Sequence, residues 1–141
     1  MSRWKALLGL ALALGGCGSG KGSTAPAAVE PTLASIQQQI LTPGCALPSC
    51  HSSAAQRGGL VLEAGRSYGQ LVGMLAENEA ARVRGALRVV AGHPEQSFLI
   101  DKLSGPGPDE GSTMPYTGAL LPKSQIEAIR QWIQRGAAEQ P

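Results

Sequence analysis

Leu33, Ile36, Ile40 and Leu41 recur at the period of a helix face. Pro31 and Thr32 offer a start and Pro43-Gly44 an end, so the spacing predicts a short amphipathic helix that closes before Cys45. Gly58-Gly59 then breaks the chain, and the brief alternation of Leu60 and Leu62 predicts a core-facing loop. Tyr68, Leu71, Val72 and Leu75 predict a second short helix, and the charged stretch from Glu77 to Arg84 predicts an exposed segment. Val89-Val90 leads into Gly92-His93-Pro94, where Pro94 suits the first position of a helix with Phe98, Leu99 and Leu103 on its apolar face. Ser104 to Thr113 holds three Gly and two Pro and predicts loop, running on through Met114-Pro115. The clearest stripe is the last, Ile126, Ile129, Trp132 and Ile133, with Gly136 as a natural C-cap. The pattern predicts an all-α domain of three to five short helices with almost no sheet.

The first residues follow a different rule. Arg3 and Lys5 precede an apolar run, Ala6 to Leu14, too short to span a bilayer as a helix, which is the pattern of an export signal. Leu14-Gly15-Gly16-Cys17 resembles the bacterial lipoprotein cleavage box. That resemblance implies a signal peptide over residues 1–16 and lipidation of Cys17, with acyl chains that hold the protein to a membrane. Gly18, with no Asp beside the lipidated Cys, resembles outer-membrane sorting. Residues 17–31 are rich in Gly, Ser, Ala and Pro and predict a flexible tether. The folded domain is expected over residues 32–138.

Removal of a leader changes the charge. The full chain carries 12 basic and 10 acidic side chains, but two of the basic ones, Arg3 and Lys5, lie in the predicted leader. The remainder balances to zero. Without a basic run or interleaved aromatics, no nucleic-acid partner is expected. The domain has one Phe and, outside the leader, one Trp, so a large apolar cofactor at its centre would add much to a small core.

The chemistry concentrates in Cys45-Ala46-Leu47-Pro48-Ser49-Cys50-His51. Covalent c-type haem attachment has the signature C-x-x-C-H, and here four residues separate the cysteines instead of two. Two thiols can add to the two vinyl groups of a haem, and the histidine beside the second thiol can serve as proximal iron ligand. Two other readings use the same residues. In an exported protein Cys45 and Cys50 can form a disulfide, leaving His51 incidental. A zinc or copper site would need further ligands, and the only other histidine is His93. No βαβ pattern surrounds the motif, which argues against a thioredoxin-like copper carrier. Met114 stands in a Gly/Pro-rich loop where core filling explains it poorly, and a thioether is a good axial ligand. Met74 lies near a helical stripe and reads as packing, while His93 reads as a loop or N-cap residue.

Residues 33–136 resemble a class I mono-haem cytochrome c, in particular the bacterial lipoprotein cytochromes with a C-A-x-x-x-C-H attachment site. The matching pieces are Ile40-Leu41-Thr42-Pro43-Gly44-Cys45-Ala46, Cys50-His51, Gly58-Gly59-Leu60-Val61-Leu62, Tyr68 with Leu71-Val72, and Val89-Val90. They continue with Gly92, Pro94, Ser97, Leu99 and Lys102-Leu103, then Met114-Pro115 with Gly118, and Ile126 through Trp132-Ile133 to Gly136-Ala137. Pro122 stands where the family places Ser or Thr as N-cap of the last helix, with Gln125 three residues on. Ala91 replaces the family's Pro, and His93 its Asp. The resemblance implies a small cytochrome c-like fold around one covalent haem c, with Cys45 and Cys50 attaching it and His51 and Met114 ligating iron. It implies an electron carrier, not an enzyme, anchored in the bacterial cell envelope facing the periplasm, with redox proteins as partners. The alternatives are a haem sensor or small-ligand and peroxide enzyme with an open iron site, and a haem-free, disulfide-bonded binding module.

Overall fold

A computed structural model describes residues 28–140. The predicted leader and Cys17 lie outside the described residues. Five α-helices follow in order: α1 Leu33–Ile36, α2 Ser67–Leu71, α3 Glu79–Val83, α4 Phe98–Ser104 and α5 Lys123–Gln134. The described residues form no strand. Their only extended pairings are two isolated bridges, Val72 to Val89 and Leu75 to Leu87.

Thr32 starts α1 by accepting the Ser35 N–H at 3.3 Å, while the Ser35 hydroxyl accepts from Glu30 N at 2.9 Å. The chain does not leave the helix at Pro43-Gly44 as the sequence predicts. It continues in wide π turns over Gln37–Cys45, and Ala46 N donates to Leu41 O at 2.7 Å. Proline lacks an N–H, and its ring crowds the carbonyl one α turn back. A wider turn eases the crowding of the ring, with bonds that reach back five residues as from Ala46 N to Leu41 O, while Pro43 still contributes no donor. Cys45 therefore ends a helical segment and packs against the core.

Two other elements differ from the sequence pattern. The second helix stops at Leu71, because Gly73 takes φ +71° and Val72 turns to meet Val89. Backbone bonds then tie residues 73–76 to 86–89, among them Gly73 N to Val89 O (3.0 Å) and Ala76 N to Ala86 O (2.9 Å). The stretch predicted as exposed contains α3. Asn78 caps it by accepting from Ala81 N at 3.0 Å, and Ala81 is fully buried. Pro94 opens a single 3₁₀ turn, Pro94–Gln96, and α4 begins only at Phe98. The first N–H groups of α4 go to carbonyls of the paired segment, Phe98 N to Leu87 O and Leu99 N to Arg88 O.

One main core joins the ends of the domain. Leu33, Ile36 and Ile40 from the first helical segment meet Ile129, Trp132 and Ile133 of α5, with Leu71, Val89, Ile100 and Leu103 between them. Helix α5 matches its predicted stripe. Pro122 stands at its N-cap and makes no side-chain capping bond, and Gly136 follows its end at φ +98°. Beyond it Trp132 Nε1 donates to Ala138 O at 2.9 Å. A smaller cluster of Ala76, Ala81, Ala86 and Phe98 fills the space under α3.

Candidate functional site

The segment from Cys45 to Leu62 is knitted by its own backbone. His51 N donates to Cys45 O at 3.1 Å and Cys50 N to Leu47 O at 2.9 Å, which closes the loop between the two thiols. The longer gap between the cysteines is taken up by this turn, whose carbonyls have side-chain donors. Arg57 Nε donates to Ser49 O at 2.7 Å, and the Ser52 hydroxyl to Pro48 O at 3.3 Å. Arg57 N donates to Cys50 O and Leu62 N to His51 O, so residues on both sides of the histidine are fixed. The sequence pattern gave no reason to single out Arg57; its only local signal is its position just before Gly58-Gly59.

Cys45 and Cys50 are half-buried free thiols, not joined to each other. Burial, and then the neighbouring Cys50, pushes the Cys45 thiol up to about 11. A thiol held in its protonated form is a poor ready-made metal thiolate. Among the described residues no three His, Cys, Asp or Glu side chains converge as a metal-ion site.

His51 Nδ1 lies 2.9 Å from Arg57 O. A carbonyl can only accept, so Nδ1 carries the proton and the lone pair of the neutral ring is on Nε2. Burial holds the His51 pKa below its ordinary value, against the raising effect of the Arg57 and Leu60 carbonyls, and the charge of Arg88 lowers it further. The ring is thus kept neutral and oriented, which is the state a metal-ligating imidazole needs.

Met114 is half-buried against the same core as Cys45, and its N–H donates to Lys102 O at 2.6 Å. The Met114–Pro115 peptide is cis. Met74 is not the packing residue that its spacing predicts, because it leaves α2 and is 43% exposed. His93 is exposed, ends in no side-chain cap, and pairs through Nδ1 with Glu95 at 3.3 Å. Packing on the core therefore brings Cys45 and Met114 to one body of the protein, with His51 tied to Cys45 through the backbone. Two surface depressions lie elsewhere. One of about 460 Å³ is lined by residues including Arg84, Asp101 and Glu110, the other of about 160 Å³ by residues including Gln37, Ser67 and Tyr68. Neither is lined by Cys45, Cys50, His51 or Met114.

The chain matches no family model, no curated protein and no solved structure.

Proposed function

We propose that this chain is a lipid-anchored c-type cytochrome that carries single electrons in the bacterial cell envelope, on the periplasmic side. The observation that carries the reading is the state of Cys45, Cys50 and His51. Two unjoined thiols flank a closed turn, and the adjacent imidazole is fixed with its free lone pair on Nε2. That donor set fits a haem: Cys45 and Cys50 would attach it, and His51 and Met114 would hold the iron. A bound haem supplies a one-electron ferric/ferrous couple, and His/Met ligation raises its potential relative to stronger donor pairs. The chain's own part is to present the thiols, to keep His51 neutral and to hold the Met114 loop. With His51 and Met114 both holding the iron, no ligand position would stay open, which would favour electron transfer over small-ligand or peroxide chemistry. Partners would be other redox proteins at the membrane surface. A charge balance near zero outside the predicted leader leaves little long-range steering.

The full chain expressed in a host with haem-attachment machinery provides the test. A haem stain should survive a denaturing gel, and the reduced spectrum should be six-coordinate, low-spin and indifferent to carbon monoxide. Carbon monoxide binding would transfer the chain to the sensor or enzyme class. A protein without covalent haem would leave the disulfide-bonded module.

A further inference from the structure

Arg88 is a buried charge that haem attachment does not use. It is only 6% exposed, and its guanidinium donates to backbone carbonyls alone: Nη1 to Gln70 O at 2.9 Å, Nη2 to Gly58 O at 3.3 Å and Gly59 O at 3.1 Å. Burial lowers its proton affinity, yet a guanidinium stays charged in proteins. Among the described residues no carboxylate accepts a hydrogen bond from it. The acidic group facing it is Glu77, which is half in solvent and lies 3.6 Å from Arg82.

Two of the three carbonyls that Arg88 holds belong to one turn. Gly58 and Gly59 follow Arg57, whose carbonyl accepts the His51 Nδ1 proton. Imidazole and guanidinium therefore grip one short turn from two sides. Gly59 sits at φ +59°, and a Cβ there would come within 2.9 Å of Glu77 Cγ, so a side chain at that point would be strained and would displace Glu77.

We propose that Arg88 sets the reduction equilibrium of the site, as a positioning residue that fixes the acceptor of His51 and as a fixed positive charge behind that ligand. The inference rests on the reading of His51 as iron ligand. Taking up one electron lowers the positive charge of the iron by one, and no proton has to move. A buried cation nearby opposes the oxidised, more positive state and so favours the reduced one. Through the turn it also fixes the hydrogen bond that orients the ligand.

The test is a potentiometric titration of the haem-loaded full chain. It compares wild type with Arg88→Gln, Arg88→Lys and the exposed charge control Arg82→Gln. Arg88→Gln is expected to move the equilibrium roughly tenfold toward the oxidised form, a shift of about 59 mV for one electron. Arg88→Lys keeps the charge and should stay within about threefold of wild type, and Arg82→Gln within about twofold, because an exposed charge is screened. Equal shifts in Arg88→Lys and Arg88→Gln would reduce Arg88 to a structural residue, and an unshifted Arg88→Gln overturns the inference outright. Should Arg88→Gln fail to fold, Arg88→Met, which keeps the apolar stem without the charge, carries the test, and an unshifted equilibrium overturns the inference. A wild type without covalent haem brings down the reading of the site itself. A haem-bearing wild type with an unshifted Arg88→Gln brings down this inference alone.

Discussion

At the scale of single residues, the sixth ligand is the sharpest choice. Met114 packs on the core that also holds Cys45, whereas His93 is spent on Glu95 at the surface. Met114→Ala is therefore expected to abolish the weak sulfur-to-iron band at the red end of the oxidised spectrum and to lower the potential. His93→Ala should leave both as they are, and the opposite result would make the site bis-histidine. Ser97 is a second informative residue. It is fully buried, and its hydroxyl accepts from Val90 N at 2.9 Å and donates to His93 O at 2.9 Å. Ser97→Ala leaves the Val90 N–H without its acceptor, while His93 O keeps Gln96 N, at a cost of about 1–3 kcal/mol in denaturant unfolding. The motif residues were legible because their chemistry lies in their order along the chain. Arg57 and Arg88 were not, because what they do depends on which distant carbonyls come within reach.

Among the elements, the loop before Met114 depends most on its neighbours. Glu110 is buried in it and accepts from Arg84 Nε at 2.7 Å and from Gly107 N at 2.8 Å. Arg84 reaches on to Asp101 at 3.1 Å, and Lys102 Nζ donates to the Glu110 carbonyl at 2.9 Å. A Gly/Pro-rich stretch is thereby fastened to α3 and α4, with Met114 at its end. Glu110→Ala is expected to cost about 1–2 kcal/mol, toward the low end for charged hydrogen bonds because Arg84 is half in solvent. The same bond from Arg84, the Gly107 N–H and the nearby Arg84 and Lys102 charges hold the Glu110 carboxyl below its ordinary range. A depressed carboxyl adds stability above the unfolded-state value of about 4.3 and loses it as pH falls through the lower folded-state value. Wild type should therefore lose more stability than Glu110→Ala between neutral pH and about pH 3, by denaturation at each pH. Helix α3, which makes this clamp possible, was hidden in the sequence by its charges. Its buried face is alanine, and Asn78 was the one signal that could have announced it.

For the whole molecule, the expectation is a small helical body completed by its cofactor and tethered by lipid. Leu47, Tyr116 and Leu120 are exposed at 40%, 75% and 60%, close in sequence to the turn between Cys45 and Cys50 and to Met114. Apolar surface of that kind is expensive to leave in water. The haem-bearing protein should therefore melt well above the Cys45→Ala/Cys50→Ala double variant. A gain of about 2 kcal/mol alone would raise the midpoint by roughly 7–10 °C in a domain of this size. Tethering is tested separately: labelled fatty acid should enter the wild type, and Cys17→Ala should block it.

The sequence alone determined the helix-rich class, the last helix and the Cys-Cys-His cluster. Each of these follows from local spacing: a 3.6-residue apolar period, a C-cap glycine, or reactive groups adjacent along the chain. Tertiary structure decided the rest. The path through Pro43 depends on which carbonyls find donors in wide turns. The early end of α2 depends on the pull of Val89 on Val72. The tautomer of His51 depends on a carbonyl six residues ahead, and the burial of Arg88 on the approach of Gly58, Gly59 and Gln70 from remote parts of the chain. Periodicity records which face of a segment is apolar. It holds no record of which backbone groups still lack partners once the segments meet, and those groups are what tie Arg88 to the turn behind His51.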